Sequence, residues 1–378
     1  MPRIAELPLH GGRVPHWMLR IMENLAESII KYMVEVRGPS TVLALLADPA
    51  WFQAFNNVIG MDWDSSGSTT VVTGILKTIT WRDPSIGILV LGGKGGRMRK
   101  VPEEAEEAAR IYNVDSNELV KASRISARAD STFLQDGYEL YHHALFLSEE
   151  GEYIVVQQGM NTSKGMARRY HVTRFELNEP NSGIAGVLSG DVLNAIASES
   201  REARRLYIDL LNESPNRIVK LLNEANRIVR GQPSITDFIE GRTSTRHRKI
   251  IYYRPVIPSK RLILSIERIA SNPPIDELDL ALKPGIGPKL VRALALIADI
   301  IYGVPTSVRD PVTHPIDPYA YAYAIGGKDG IPYPFDAKTA IEAYNFLREA
   351  LEEARIGEKV KLKALERLRR LVRGLEGE

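Results

Sequence analysis

Apolar residues recur at helical spacing from Pro15 to Val36 and again from Thr41 to Val58, and Gly38-Pro39 divides the two stretches. Gly87-Ile88-Leu89-Val90-Leu91-Gly92-Gly93 reads as a buried strand that runs into a glycine-rich loop. Tyr138 to Leu147 and Tyr153 to Gln158 carry the pattern of a β-hairpin closed across Glu149-Glu150-Gly151-Glu152. From Asp191 to about Arg230 the pattern is helical, and a linker with Gly231 and Pro233 follows. Ile275, Leu278 and Leu282 then predict a short amphipathic helix, and Leu290, Ala293, Leu294, Ile297, Ala298 and Ile301 form the stripe of a longer one that ends near Tyr302 and Gly303. A final helix is expected from Lys359 to Arg373; its basic residues read as a solvated face.

These elements predict an α+β protein. A mixed α/β domain is expected over residues 1–185, a helical segment and basic linker over 186–258, and an all-α helix-hairpin-helix domain over 259–378. With 378 residues and 42.2 kDa the chain has room for a substantial core. Charged residues are 25% and hydrophobic ones 44%, values usual for a globular protein in water. There is no cysteine, which excludes disulfides, thiol catalysis and iron–sulfur clusters and suits a thermophile. No apolar run reaches membrane-spanning length and the N-terminus lacks a signal-peptide pattern, so a cytoplasmic location and no membrane partner are expected. The net charge is only +2, so affinity for a polyanion must come from local patches.

Two such patches stand together. Pro284-Gly285-Ile286-Gly287-Pro288-Lys289 reads as a tight hairpin between two helices, with Pro288 suited to a first helical turn and the glycines allowing close backbone approach. Free amides at the start of the second helix would hold a phosphate, with Gly285, Gly287 and Lys283 at the contact. Upstream, Gly241 to Arg261 holds seven Arg or Lys and no acid, with Tyr252 and Tyr253 interleaved. Arg246, Arg248 and Lys249 suit phosphate neutralisation and the tyrosines suit base stacking; a solvated surface segment is the plain alternative. Gly92-Gly93-Lys94-Gly95-Gly96 lacks the spacing and hydroxyl of a phosphate loop and is read as a flexible turn.

A third constellation lies mid-chain: Asp130, Asp136, His142, His143, Gln157, Gln158, Asn161, Arg168, Arg169 and His171. Polar groups on apolar strands are costly to bury unpaired. Three readings stand: a satisfied network, a pocket for a flipped base, or a metal centre from Asp130, Asp136 and a histidine. His142 and His143 are adjacent on a strand, so at most one joins any one site. No local spacing matches a metal motif, and no cofactor is expected.

Residues 275–314 resemble the helix-hairpin-helix/Gly-Pro-Asp superfamily of DNA glycosylases, through the hairpin, its second helix, the loop Gly303-Val304-Pro305 and Asp310, followed by Thr313-His314. That resemblance implies a DNA repair enzyme of base excision, with Lys289 attacking the sugar to form a Schiff base and Asp310 assisting. The plain alternative makes Lys289 a phosphate contact. Over its full length the chain also resembles an uncharacterised archaeal and bacterial family, domain of unknown function 763. The matching segments are Ala5-Glu6-Leu7-Pro8-Leu9-His10-Gly11-Gly12, Gly60 to Gly67, Gln135-Asp136-Gly137-Tyr138, Tyr141-His142-His143, Val156 to Asn161, Ala167-Arg168-Arg169-Tyr170-His171 and Gly326 to Gly330. The expected activity is a DNA glycosylase with abasic-site lyase capability. A metal-dependent structure-specific nuclease and a non-catalytic DNA-binding protein remain the rival readings.

Overall fold

The computed structural model describes residues 7–8, 16–60, 66–175, 177, 183–190, 192–231 and 254–314 and, toward the C-terminus, 345, 347–353, 358, 361–362 and 364–366. The architecture is mixed α+β. The helices are α1 (His16–Arg37), α2 (Pro39–Ala47), α3 (Pro49–Ile59), α4 (Gly67–Arg82), α5 (Val101–Tyr112), α6 (Ser116–Arg128), α7 (Arg201–Leu211), α8 (Pro215–Val229), α9 (Lys260–Ala270), α10 (Glu277–Leu282) and α11 (Pro288–Tyr302). The strands are β1 (Leu7–Pro8), β2 (Ile88–Lys94), β3 (Leu134–Gln135), β4 (Glu139–Ser148), β5 (Tyr153–Asn161), β6 (Met166–Val172), β7 (Gly183–Ala185) and β8 (Leu193–Asn194). An antiparallel sheet runs in the order β1-β6-β5-β4-β2, with β7 also paired to β6, and β3 pairs with β8 apart from it.

Side-chain alternation decides what each face of the sheet meets. Ile88, Val90, Ala144, Phe146, Ile154 and Val156 face one way and pack into a core with α1–α4. Leu347, Ala350, Leu351 and Ala364 join that same core, so this part of the C-terminal region packs with the N-terminal helices. Leu89, Leu91, Leu145, Leu147, Val155 and Val172 face the other way, against α5 and α6. A second large core joins Phe133, Leu134, Tyr170 and Ile184 to helices α7–α11.

The helix expected over Thr41–Val58 is two helices. Pro49 cannot continue α2, and Asp48 instead caps α3 by accepting the Trp51 amide at 2.8 Å. The stretch expected helical from Asp191 likewise divides into β8, a short 3-10 turn, α7 and α8, with Ser214 capping α8. The expected glycine-rich turn holds only in part: β2 extends through Lys94, and Gly95–Lys100 form 3-10 turns.

Gly92 shows how tightly β2 is seated. Its φ is +85°, and a Cβ there would lie 2.4 Å from the His143 carbonyl oxygen. Its amide donates to Glu104 at 2.6 Å, and its carbonyl accepts from Lys77 at 2.7 Å. Gly92→Ala should therefore cost about 3 kcal/mol through strain and clash together; a chemical unfolding midpoint equal to wild type would contradict this.

Candidate nucleic-acid interface

Asp276 caps α10 by accepting the Asp279 amide at 2.7 Å. The helix therefore begins after Ile275, which is 84% exposed; Leu278 is exposed as well, and the residues α10 buries are Leu280 and Ala281. The expected stripe of Ile275, Leu278 and Leu282 is corrected accordingly. The chain then turns through Gly285, whose φ of +96° is the left-handed region that favours glycine. Ile286, between the glycines, is 1% exposed and plugs into the helical core. From outside, Arg128 Nη2 donates to the Ile286 carbonyl at 2.5 Å and Gln135 Nε2 to the Pro288 carbonyl at 2.8 Å. The hairpin is thus held from beneath by a side chain and from the side by two others.

Gly287 is the N-cap of α11 in an extended conformation and makes no side-chain cap. Pro288 has no N–H, and the Leu290 and Val291 amides both donate to the Gly287 carbonyl, at 2.9 and 3.0 Å, so the amides of Gly287 and Lys289 are the ones left for an anion. Lys289 is exposed, and its Nζ donates to Ser259 Oγ at 3.1 Å. Ser259 is itself the N-cap of α9, so the N-termini of α9 and α11 lie side by side, with Lys260 and Arg261 exposed in the first turn of α9. Lys283 is committed elsewhere: it pairs with Asp279 at 2.9 Å. Arg246, Arg248, Lys249, Tyr252 and Tyr253 lie outside the described residues; the chain re-enters at exposed Arg254, just ahead of α9.

The loop after α11 folds back onto the sheet. The Asn194 amide donates to the Ser307 carbonyl at 2.8 Å, and the Thr313 and His314 amides both donate to the Ile184 carbonyl. This course delivers Asp310 to Arg168, whose Nη1 and Nη2 donate to its two oxygens at 3.1 and 2.8 Å. The amides of Ser189 and Val312 donate to the same carboxylate at 2.6 and 3.3 Å. No hydrogen bond or ion pair joins Asp310 to Lys289.

The mid-chain polar residues are divided by the sheet. On the face toward α6, Arg168 also donates to Asp136 at 2.7 Å and to the Val187 carbonyl at 2.5 Å, with its guanidinium over the Tyr138 ring. Tyr170 donates its hydroxyl proton to Asp136 at 2.7 Å. Burial raises the Asp136 carboxyl above the usual carboxylate range, although Arg168, Tyr170 and the Tyr138 amide all oppose that shift. Asn161 turns back on its own loop, accepting from Ser163 and the Lys164 amide. Beside them, Gln157 donates to Asp130 at 2.5 Å and to the Ser126 carbonyl at 3.1 Å, leaving its oxygen to accept from His143 Nδ1 at 2.8 Å.

On the opposite face lie His142, Gln158, Arg169 and His171. Arg169 donates to Gln53 at 2.7 Å and sits over the Phe52 ring, and His171 meets the edge of that ring. Thr73 gives its hydroxyl proton to the Thr69 carbonyl at 2.7 Å, so His142 Nε2, 3.0 Å away, is the donor to Thr73. Asp130, Asp136 and His142 therefore do not converge, and no group of three or more His, Asp or Glu able to hold a metal occurs among the described residues. Of these residues, Arg128 and Ser123 carried no sequence signal, whereas Gln135 and Tyr170 lay within the quoted Gln-Asp-Gly-Tyr and Arg-Arg-Tyr-His runs.

The fold is that of an α+β protein in which a tight turn between two helices stands beside an antiparallel sheet with buried polar side chains. A family profile described as Protein of unknown function (DUF763) matches residues 3–335, and the chain belongs to that family. Comparison with curated proteins and with solved structures gave no match. No helix among the described residues is long and apolar enough to cross a membrane.

Two predictions follow from this polar core. Arg168→Leu should destabilise the protein by about 3–5 kcal/mol, because it leaves two buried carboxylates without their cation; a loss below 1 kcal/mol on chemical unfolding would mean the network is dispensable. The second concerns His142, whose pKa burial lowers from 6.5 to about 3. Its folded-state value is depressed, so the unfolded chain takes up the proton first. Its contribution to stability is complete above pH 6.5 and is lost as pH falls toward 3. His142→Gln should flatten the fall in unfolding free energy across that window; identical slopes would contradict it.

Proposed function

We propose that the protein binds DNA by seating a backbone phosphate on the α10–α11 hairpin. The observation that carries the reading is the N-terminus of α11, where the Gly287 and Lys289 amides have no backbone partner and the exposed Lys289 side chain stands beside them. Support comes from the neighbouring start of α9, which adds Lys260 and Arg261 and continues from the basic stretch of residues 241–254. Such contacts position a strand without reading its sequence.

In this reading Lys289 is a phosphate contact. Schiff-base chemistry with Asp310 as its partner is disfavoured, because both oxygens of Asp310 already accept hydrogen bonds from Arg168 and from backbone amides. A place in DNA repair is the biological setting the reading suggests, with the hairpin as anchor.

A side chain at Gly287 would meet nothing within 4 Å, and its φ of −119° suits any residue, so Gly287→Val tests the contact without disturbing the fold. Fluorescence anisotropy with labelled duplexes should show affinity falling as salt rises. Gly287→Val should weaken binding roughly tenfold on every sequence, about 1.4 kcal/mol. Binding indifferent to salt, or a folded variant that binds normally, would sink the idea. Borohydride should trap no adduct on abasic DNA; an adduct that Lys289→Gln removes would establish the lyase reading instead.

A further inference from the structure

A cavity of about 490 Å³ opens between the first turn of α5, the side of α6 and the start of β4. It falls within the roughly 300–1,000 Å³ of small-molecule sites. Val101, Pro102, Ala127 and Leu140 give it apolar walls, and Tyr138 contributes an aromatic one. Arg99 and Arg124 are exposed at its mouth, with Glu139 the single acid among the lining residues. Exposed Arg97 and Lys100 stand on the adjoining turn, so the approach is cationic. An apolar interior with a basic mouth suits a planar body carrying an anion at one end.

Inside, the polar groups are fixed in direction. Gln157 spends its amide protons on Asp130 and the Ser126 carbonyl, so its oxygen must accept the proton of His143 Nδ1. Burial holds His143 below its usual pKa, which keeps the ring neutral and leaves Nε2 an acceptor. Ser123 Oγ, 2.8 Å from Nε2, therefore gives its proton to the histidine. Ser123 and His143 both line the cavity, and the serine oxygen turns only lone pairs toward it. A ligand there meets an acceptor and must bring an N–H or O–H donor. The exocyclic amines of adenine, cytosine and guanine supply one, and a carbonyl oxygen placed there, such as the one at C6 of hypoxanthine, would be repelled.

Helix α6 links the cavity to the hairpin. Arg124 at its mouth and Arg128, which holds the Ile286 carbonyl, are one turn apart on α6, about 6 Å between Cβ atoms. We infer that this cavity binds an unstacked, amino-bearing nucleotide, with the base against Ser123 and the phosphate on Arg99 and Arg124. A nucleotide of a bound strand would rest on the proposed DNA contact at the hairpin; a free nucleotide would not.

Calorimetry on the full chain with adenosine and inosine monophosphates separates the cases. The adenine nucleotide should bind roughly tenfold more tightly than the hypoxanthine one, which offers a carbonyl in place of the amine. Ser123→Ala should bring the two affinities together. Ala127→Phe, which fills the cavity, should abolish binding of both while hairpin-dependent DNA binding persists. Arg124→Ser, at an exposed position, should weaken both nucleotides without altering the unfolding midpoint. Single strands with one adenine or one abasic position identify the source: a preference for adenine that Ala127→Phe removes marks a strand nucleotide, and equal affinities alongside mononucleotide binding mark a free one. Equal binding of the two mononucleotides by wild type would overturn the proposal, as would the absence of both mononucleotide binding and adenine preference. If Gly287→Val leaves DNA binding unchanged while nucleotide discrimination holds, only the hairpin reading fails.

Discussion

The guanidinium of Arg168 is the contact on which the rest of the arrangement depends. It is fully buried and ties three distant pieces of chain together: its own strand β6, the turn holding Asp136, and the loop that follows α11. Burial works against its charge, while Asp136 and Asp310 raise its pKa. The cluster holds one cation and two carboxylates, and the excess negative charge is met by the Tyr170 hydroxyl and the amides of Tyr138, Ser189 and Val312. An apolar replacement of the whole set could be as stable. What the ion cluster supplies is direction, since the planar guanidinium of Arg168 and the backbone amides fix where each carboxylate must lie.

That direction fixes the hairpin indirectly. Because the loop after α11 is pinned to β6, β7 and β8, the far end of the helix cannot swing. Its near end is set by Ile286 beneath and by Arg128 and Gln135 alongside. Between these anchors the helix is buried on nearly every side, from Leu290 through Ala298. A phosphate arriving at Gly287 thus meets amides whose positions are already determined, so little ordering cost remains at binding.

Local chemistry was legible in the sequence and long-range partnership was not. The α11 stripe, the β4–β5 hairpin and the opposite faces of His142 and His143 all follow from periodicity within a few residues. The break at Pro49 was equally local, yet the apolar pattern runs through it and conceals it. Ile275 and Leu278 suggested a buried face, but a six-residue helix is too short for its period to decide what it packs against. Asp310 could be singled out as a lone carboxylate in a Gly/Pro loop. Its partner lies 142 residues earlier, and no spacing encodes that distance. The buried polar residues could likewise be named as a group, whereas their division between two faces needed the strand register.

In the proposed function the hairpin amides are the place where a strand is held. Amide hydrogen exchange, followed with and without a short duplex, tests it most directly. Protection should rise at residues 285–291 and in the first turn of α9, and remain unchanged across α1–α4. Protection confined to α1–α4, with the hairpin amides exchanging as in the free protein, would contradict it.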